Sequence, residues 1–251
     1  MLIESKQNKR VKNWKKLHKK KSRDHEELFL IEGWHLIEEA IKSDWCIDEL
    51  IVLDGVDYPE SWDSYNLTFV TKPVLNEIAQ TESQQGVLAV VKQQRHDEQE
   101  LGQKLLFVDA VQDPGNVGTI IRSALAFNVE AVILGEGSVD LYNDKVVRAT
   151  QGALFHIPVI NGGDLSQWVA HCHTHNINIY ATALDNQAKP LQDAKPNRAY
   201  AIIVGNEGEG VDSALINDAN ETVYIPIEHE SESLNVGVAT SIVLYHFSQA
   251  T

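Results

Sequence analysis

After residue 104 the chain repeats one unit, a short apolar run without polar alternation followed by a stretch of helical periodicity. The apolar runs fall at 105–110, 131–134, 156–160, 177–183, 199–204 and 221–227, and the helical stretches at about 117–127, 143–152, 164–175, 211–219 and 235–248. A strand with one face in water alternates apolar and polar residues, so uninterrupted apolar runs belong to a sheet covered on both faces. Strands joined one by one through helices pair in parallel. An α/β domain on a parallel sheet is therefore expected over 105–251. Such sheets bind ligands outside the carboxyl ends of their strands, so the loops there are where chemistry is to be sought.

The first 93 residues carry the same ingredients in shorter form. Residues 14–40 read as helical, with Trp34, Ile37 and Ile41 on one stripe. Strands are expected at 49–53, 67–71 and 86–91, and Pro73 suits the first turn of a helix whose apolar face is Leu75, Ile78 and Ala79. This predicts a small α/β domain over 1–93, with the polar, aperiodic stretch 94–104 as its linker.

Charge is divided unevenly between the two parts. Residues 1–25 hold ten Lys and Arg against Glu4 and Asp24, a net +8, whereas the remainder carries 11 basic and 34 acidic groups, a net −23. A polyanion is attracted to one end of this chain and repelled by the rest. Lys9, Arg10, Lys12, Lys15, Lys16, Lys19, Lys20, Lys21 and Arg23 are the candidate RNA contacts, and a solvated basic tail is the bland alternative. No apolar run nears the roughly 20 residues that span a bilayer, and the start of the chain has no apolar signal core. Cys46 and Cys172 are too few and too far apart for a disulfide framework or a zinc site, which points to a reducing cytoplasm and to no bound metal.

Three loops in the second domain carry chemistry. In the first, DAVQDPGNVGTIIRSA, a strand ends at Asp109, Pro114-Gly115 turns the chain, and a helix opens with Asn116 as its expected cap. Arg122 follows, offset from the apolar side of that helix, and its spacing alone allows either a solvated or a functional arginine. In the second, IIVGNEGEGV, three glycines follow an apolar strand and let backbone approach a ligand. Its spacing matches neither the lysine-bearing phosphate loop nor the dinucleotide fingerprint. Glu207 and Glu209 disfavour a phosphate and favour a neutral or cationic ligand such as a sulfonium. In the third, IPI is followed by ESLNVGVATSIVLY, a helix that is small on one side and apolar on the other, with Ser233 or Asn235 as cap.

Together, and in this order, the three loops resemble the motifs of the SpoU/TrmH family of RNA ribose 2′-O-methyltransferases, of the SPOUT class. A weaker resemblance, through NKRVKNWKKL, FLIEGWHLIEEAI and SQQGVLAVV, links residues 5–92 to that family's substrate-binding domain. The resemblance implies S-adenosylmethionine as methyl donor, RNA as acceptor (ribosomal first, transfer RNA second), a homodimer through the C-terminal domain, and a trefoil knot. Periodicity gives no sign of a knot, since chains in general avoid threading. Carried over by position, Asn116 and Arg122 match the motif at the target ribose and its phosphate. Glu207 matches the acid of the glycine loop, and Ser233 and Asn235 the polar pair of the last motif. Gly205, Ile225, Leu234 and, at the end of the preceding strand, Thr182 fall where the family holds its cofactor.

A ribose hydroxyl is a poor nucleophile, so such an enzyme supplies in-line placement and help with one proton. An arginine, whose ordinary pKa exceeds about 12, makes an awkward base and a natural stabiliser of a developing alkoxide. A non-catalytic RNA-binding or ribosome-assembly factor on the same fold is the alternative, set against the intact Asn116, Arg122, Glu207 and Asn235. A nucleotide- or NAD-dependent enzyme would need the phosphate loop that this chain lacks.

Overall fold

The structure is a computed structural model, and it describes residues 1–43, 45–96, 101–184, 187–228 and 233–249. It divides into two compact units, one of residues 1–94 with 142–155, the other of residues 95–141 with 156–251.

In the first unit the order is β1 (Leu2–Ile3), α1 (Lys9–Lys16), α2 (Lys20–Glu26), β2 (Leu28–Glu32), α3 (Trp34–Lys42), β3 (Ile47–Leu53), β4 (Leu67–Val70), α4 (Lys72–Ile78) and β5 (Val87–Lys92). The sheet order is β1-β4-β3-β5-β2, with β5 antiparallel to both of its neighbours. The continuous helix expected over 14–40 is corrected to three helices and a strand. An unbroken apolar run such as Leu28–Glu32 has no period that separates a strand from a buried helix. The backbone decides it: Glu27 ends α2 in the left-handed region at φ 54°, Gly33 leaves the strand at φ 100°, and β2 pairs with β5 in between. The lysine-rich start is no loose tail, because Ile3, Val11, Trp14 and Leu17 are buried in one cluster with Val70, Leu75 and Ile78.

The segment 143–152, expected on the second domain, is corrected too. It forms α6 (Asp144–Ala149) and a 3-10 turn at Ala153–Phe155, both in the first unit. The reason is aromatic: Tyr142 packs on Phe29 at 4.6 Å between ring centroids, and Phe155 meets Trp45 edge-on at 5.1 Å. Such pairs contribute about 0.5–1.5 kcal/mol beyond the area they bury.

The second unit runs β6 (Lys104–Val108), α5 (Pro114–Ala126), β7 (Ala131–Gly135), β8 (Val159–Gly163), α7 (Leu165–Thr174), β9 (Asn178–Thr182), β10 (Lys189–Pro190), β11 (Tyr200–Val204), α8 (Ser213–Asp218), β12 (Glu221–Tyr224) and α9 (Val236–Ser248). The expected α/β architecture is present: all of these strands pair in parallel, in the order β10-β12-β9-β11-β6-β7-β8. Leu105, Phe107, Ile133, Ile179, Ala201 and Ile203 are wholly buried in the core, and burial among them pushes the Cys172 thiol up to about 12. From β6 the chain runs outward through β7 and β8, whereas β11 and β9 lie on its other side. The sheet therefore changes direction between β6 and β11, the kind of point beside which parallel sheets bind their ligands. Two expected strands move or shorten beside a proline, which cannot donate to a ladder. The run at 156–160 becomes β8 beyond Pro158, and the run at 221–227 ends at Tyr224 before Pro226. Among the described residues no helix is long and apolar enough to cross a membrane.

Candidate active site

The loop after β6 meets the loop after β11 at that point of reversal. Asp113, not Asn116, caps α5: its Oδ1 accepts the Asn116 backbone N–H at 2.8 Å, and Pro114 fills the first turn, where no donor is needed. This correction frees the Asn116 side chain. Its Nδ2 donates to Glu207 Oε1 at 2.8 Å, and its Oδ1 accepts from Asn235 Nδ2 at 2.8 Å. Asn235 in turn caps α9, its Oδ1 accepting the N–H groups of Gly237 and Val238 at 3.0 and 3.2 Å. The helix N-terminus thus fixes which way the Asn235 amide faces. That amide fixes Asn116, and the chain ends on a carboxylate, the strongest acceptor available. Asn116, 91 residues from Glu207 and 119 from Asn235 in sequence, joins the two into one hydrogen-bonded line.

Beside it lies a cavity of about 500 Å³ at the ends of β9, β11 and β12, within the usual range of roughly 300–1,000 Å³ for small-molecule sites. Thr182, Gly205, Glu207, Ile225, Ser233 and Leu234 all line it, so every expected cofactor residue does. The Thr182 hydroxyl is already spent on the Ile203 carbonyl at 3.1 Å, which leaves that residue a wall rather than a donor. Among the described residues the charged lining residues are Glu207 and Glu209, with no Lys or Arg among them. An apolar chamber whose charged groups, among the described residues, are two carboxylates fits a molecule that pairs an adenosine with a sulfonium better than a free phosphate. Gly205 is required here by space: a Cβ would lie 2.1 Å from Gly210 C and 2.2 Å from Val211 N.

Arg122 stands apart. It is exposed on α5, it does not line the cavity, and it makes no hydrogen bond or ion pair among the described residues. Helix α5 packs along α9, where the Ser123 and Ser241 hydroxyls meet at 2.7 Å and Gly237 lies against Thr119. Sequence reasoning missed two residues that tie the loops together, Asn206 and Asp109. Asn206 carries a legible signal, an asparagine opening a glycine-rich turn. Asp109 Oδ2 accepts the Asp212 N–H at 2.7 Å. Burial pushes the Asp109 carboxyl above its ordinary range; the Asp212 N–H opposes that shift, and the Asp212 charge adds to it.

The nine basic candidates separate into groups. Arg23 is buried and donates to the Leu17 carbonyl at 2.8 Å. Arg10 pairs with buried Glu49, bonds Thr68 Oγ1 at 2.7 Å and lies over the Trp14 ring. Both guanidiniums satisfy the interior of the first unit, where a buried carboxylate or carbonyl needs a fixed donor. Lys15 is paired with Glu77, and Lys20 with Asp24. Lys9, Lys12, Lys16, Lys19 and Lys21 are exposed and unpaired among the described residues. Among those residues, no group of three or more His, Cys, Asp or Glu is placed to hold a metal ion.

Comparison with known proteins agrees with this geometry. The SpoU rRNA Methylase family matches residues 103–245, and the MRM3-like substrate binding domain matches residues 8–89. The chain is 41% identical to the 23S rRNA (guanosine(2553)-2′-O)-methyltransferase RlmP of Bacillus subtilis (strain 168), over 97% of this chain and 98% of that one. A crystal structure of an RNA 2′-O ribose methyltransferase superposes with a TM-score of 0.84 at 29% identity, covering 100% of this chain and 99% of the other. The AdoMet-bound rRNA methyltransferase from Sinorhizobium meliloti gives a TM-score of 0.89 at 26% identity, over 99% and 97%. With two motif loops lining one cavity, the third bonded to them through Asn116, and a match to more than half of its length, the chain belongs to the SpoU rRNA methylase family.

Proposed function

We propose that this protein transfers a methyl group from S-adenosylmethionine to a ribose 2′-hydroxyl of 23S ribosomal RNA. The observation that carries the reading is the line Asn235–Asn116–Glu207, which runs from a helix terminus to the wall of a cation-compatible cavity. Likeness to a relative named for a 23S rRNA guanosine supports the acceptor, and makes the equivalent guanosine the first to test.

When bound, the donor supplies a methyl group already activated on a sulfonium. The protein's work is placement and charge. Gly205, Ile225 and Leu234 shape the donor chamber, and Thr182 closes its edge. Glu207, held by Asn116, sets the glycine loop, while Ser233 and Asn235 present polar atoms on the acceptor side. Arg122 stabilises negative charge developing on the ribose oxygen and contacts the neighbouring phosphate, a charge-assisted role that needs no deprotonated guanidinium. The five unpaired lysines of the first unit grip RNA through its backbone without reading its sequence.

The active form is a knotted homodimer working in the cytoplasm. Leu125, Val238, Ile242 and Tyr245 are 37%, 47%, 38% and 58% exposed on α5 and α9, an apolar patch suited to a second copy of the chain. Leu125 lies within one turn of Arg122, so a copy seated there encloses the arginine that the single chain leaves in water.

The test is R122A. Calorimetric affinity for S-adenosylmethionine should stay within about twofold of the parent, while methylation of a 23S rRNA fragment falls by roughly a hundredfold or more, the scale of a lost charge-stabilising donor. Parent-like methylation by R122A refutes the role of Arg122. Parent protein that binds neither the donor nor its demethylated product refutes the function.

A further inference from the structure

The glycine loop is held by a residue outside all the roles above. Asn206 Nδ2 donates to the Ala110 carbonyl at 2.8 Å, across to the loop after β6. Its Oδ1 accepts the N–H groups of Gly208 and Glu209 at 2.8 and 3.2 Å, folding its own loop. Its main chain exchanges two hydrogen bonds with Gly210, at 2.9 and 3.0 Å. The acceptor Ala110 sits in the left-handed region at φ 51° although it has a Cβ. That conformation is strained for a residue with a Cβ and persists only where the surroundings impose it. Asp109 supplies a second tie, to the Asp212 N–H at the far end of the same loop.

Two tasks are therefore separated within one amide. The oxygen shapes the turn that walls the donor chamber through Gly205 and Glu209. The nitrogen sets where that turn sits against the loop bearing Asn116, and so whether Glu207 Oε1 falls within reach of Asn116 Nδ2. We propose that Asn206 is a positioning residue of the methyl-transfer reaction, holding the donor loop in register with the acceptor loop by its hydrogen bond to Ala110. Although it also lines the chamber, its effect on transfer runs through Glu207 and Asn116. The inference rests on the methyltransferase reading above.

Aspartate divides the two tasks. In N206D the carboxylate still accepts from Gly208 and Glu209, but it cannot donate to Ala110 and opposes that carbonyl instead. Alanine removes both tasks. With the parent measured alongside, N206D should keep its melting temperature within about 2 °C and its calorimetric affinity for S-adenosylhomocysteine within about threefold, values the kept turn implies. Its kcat on an rRNA fragment should fall by roughly tenfold to a hundredfold, as an ångström-scale misplacement does. N206A should lose both, with affinity down about tenfold or more. N206D with parent kcat overturns the proposal, and so does N206D that loses stability, affinity and kcat as N206A does, since that marks a merely structural residue. A parent that fails to bind or methylate refutes the underlying function instead, which keeps the two failures apart.

Discussion

Replacing Gly205 by alanine tests the shape of the donor chamber at its tightest point. The added methyl would stand 2.1–2.3 Å from Gly210 C, Val211 N and Gly210 O, all backbone atoms that cannot swing aside as a side chain could. Relief requires the loop to open, breaking one or both of the main-chain hydrogen bonds between Asn206 and Gly210. Overpacking of this kind costs about 1–3 kcal/mol, and each net hydrogen bond lost adds about 1 kcal/mol. A total of roughly 2–4 kcal/mol, charged to the bound conformation of the loop, weakens cofactor binding by about 30- to 700-fold at 1.4 kcal/mol per decade. Two neighbouring glycines grade the effect. Gly210 has open space around its missing Cβ but φ +75°, so G210A carries only left-handed strain of about 1–2 kcal/mol, a loss of roughly 5- to 30-fold. Gly208 has its nearest contact at 3.5 Å without such a φ, and G208A should bind almost as the parent does. Calorimetric titration of the three variants with S-adenosylhomocysteine, beside melting curves, reads the series. An order other than G208A, G210A, G205A, or parent affinity in G205A, refutes the steric account.

Four further outcomes follow from the rest of the molecule. Changing Lys9, Lys12, Lys16, Lys19 and Lys21 together to Gln should flatten the salt dependence of RNA binding by about 3–4 units of the log–log slope with folding intact; an unchanged slope removes these lysines from the interface. R23Q should instead lower the melting temperature, because it strips a buried donor from the Leu17 carbonyl. For Asp109, a raised folded-state pKa means that its stabilising contribution is full below the ordinary carboxylate value of about 3.9 and is lost as pH rises through the raised value. The asparagine of D109N can still accept the Asp212 N–H, so the parent should lose stability relative to D109N over that window in urea unfolding, and parallel profiles would contradict this. Tyr245→Glu with Val238→Glu should convert a dimer to a monomer in light scattering; a parent already monomeric at micromolar concentration rules out the proposed dimer.

The apolar runs determined the parallel sheet by themselves, because a strand buried on both faces leaves its composition no other choice. The three motifs, read by resemblance, singled out Gly205, Ile225 and Leu234, which line one cavity, and Asn116, Glu207 and Asn235, which meet beside it. What the sequence left undecided was every question of which partner a polar group takes. Asn116 read as a cap, yet Asp113 three residues earlier caps the helix by accepting the N–H of Asn116 itself, and only the fold brings Glu207 close enough to claim the freed amide. Arg10 and Arg23 read as RNA contacts in a basic stretch, yet tertiary burial places Glu49 and the Leu17 carbonyl beside them. The strand at Leu28–Glu32 and the transfer of 142–155 to the first unit were likewise settled by β5, Phe29 and Trp45, residues distant in sequence. Periodicity records which face of an element is apolar. Hydrogen-bond partners and packing neighbours depend on distances between segments, and those exist only once the chain has folded.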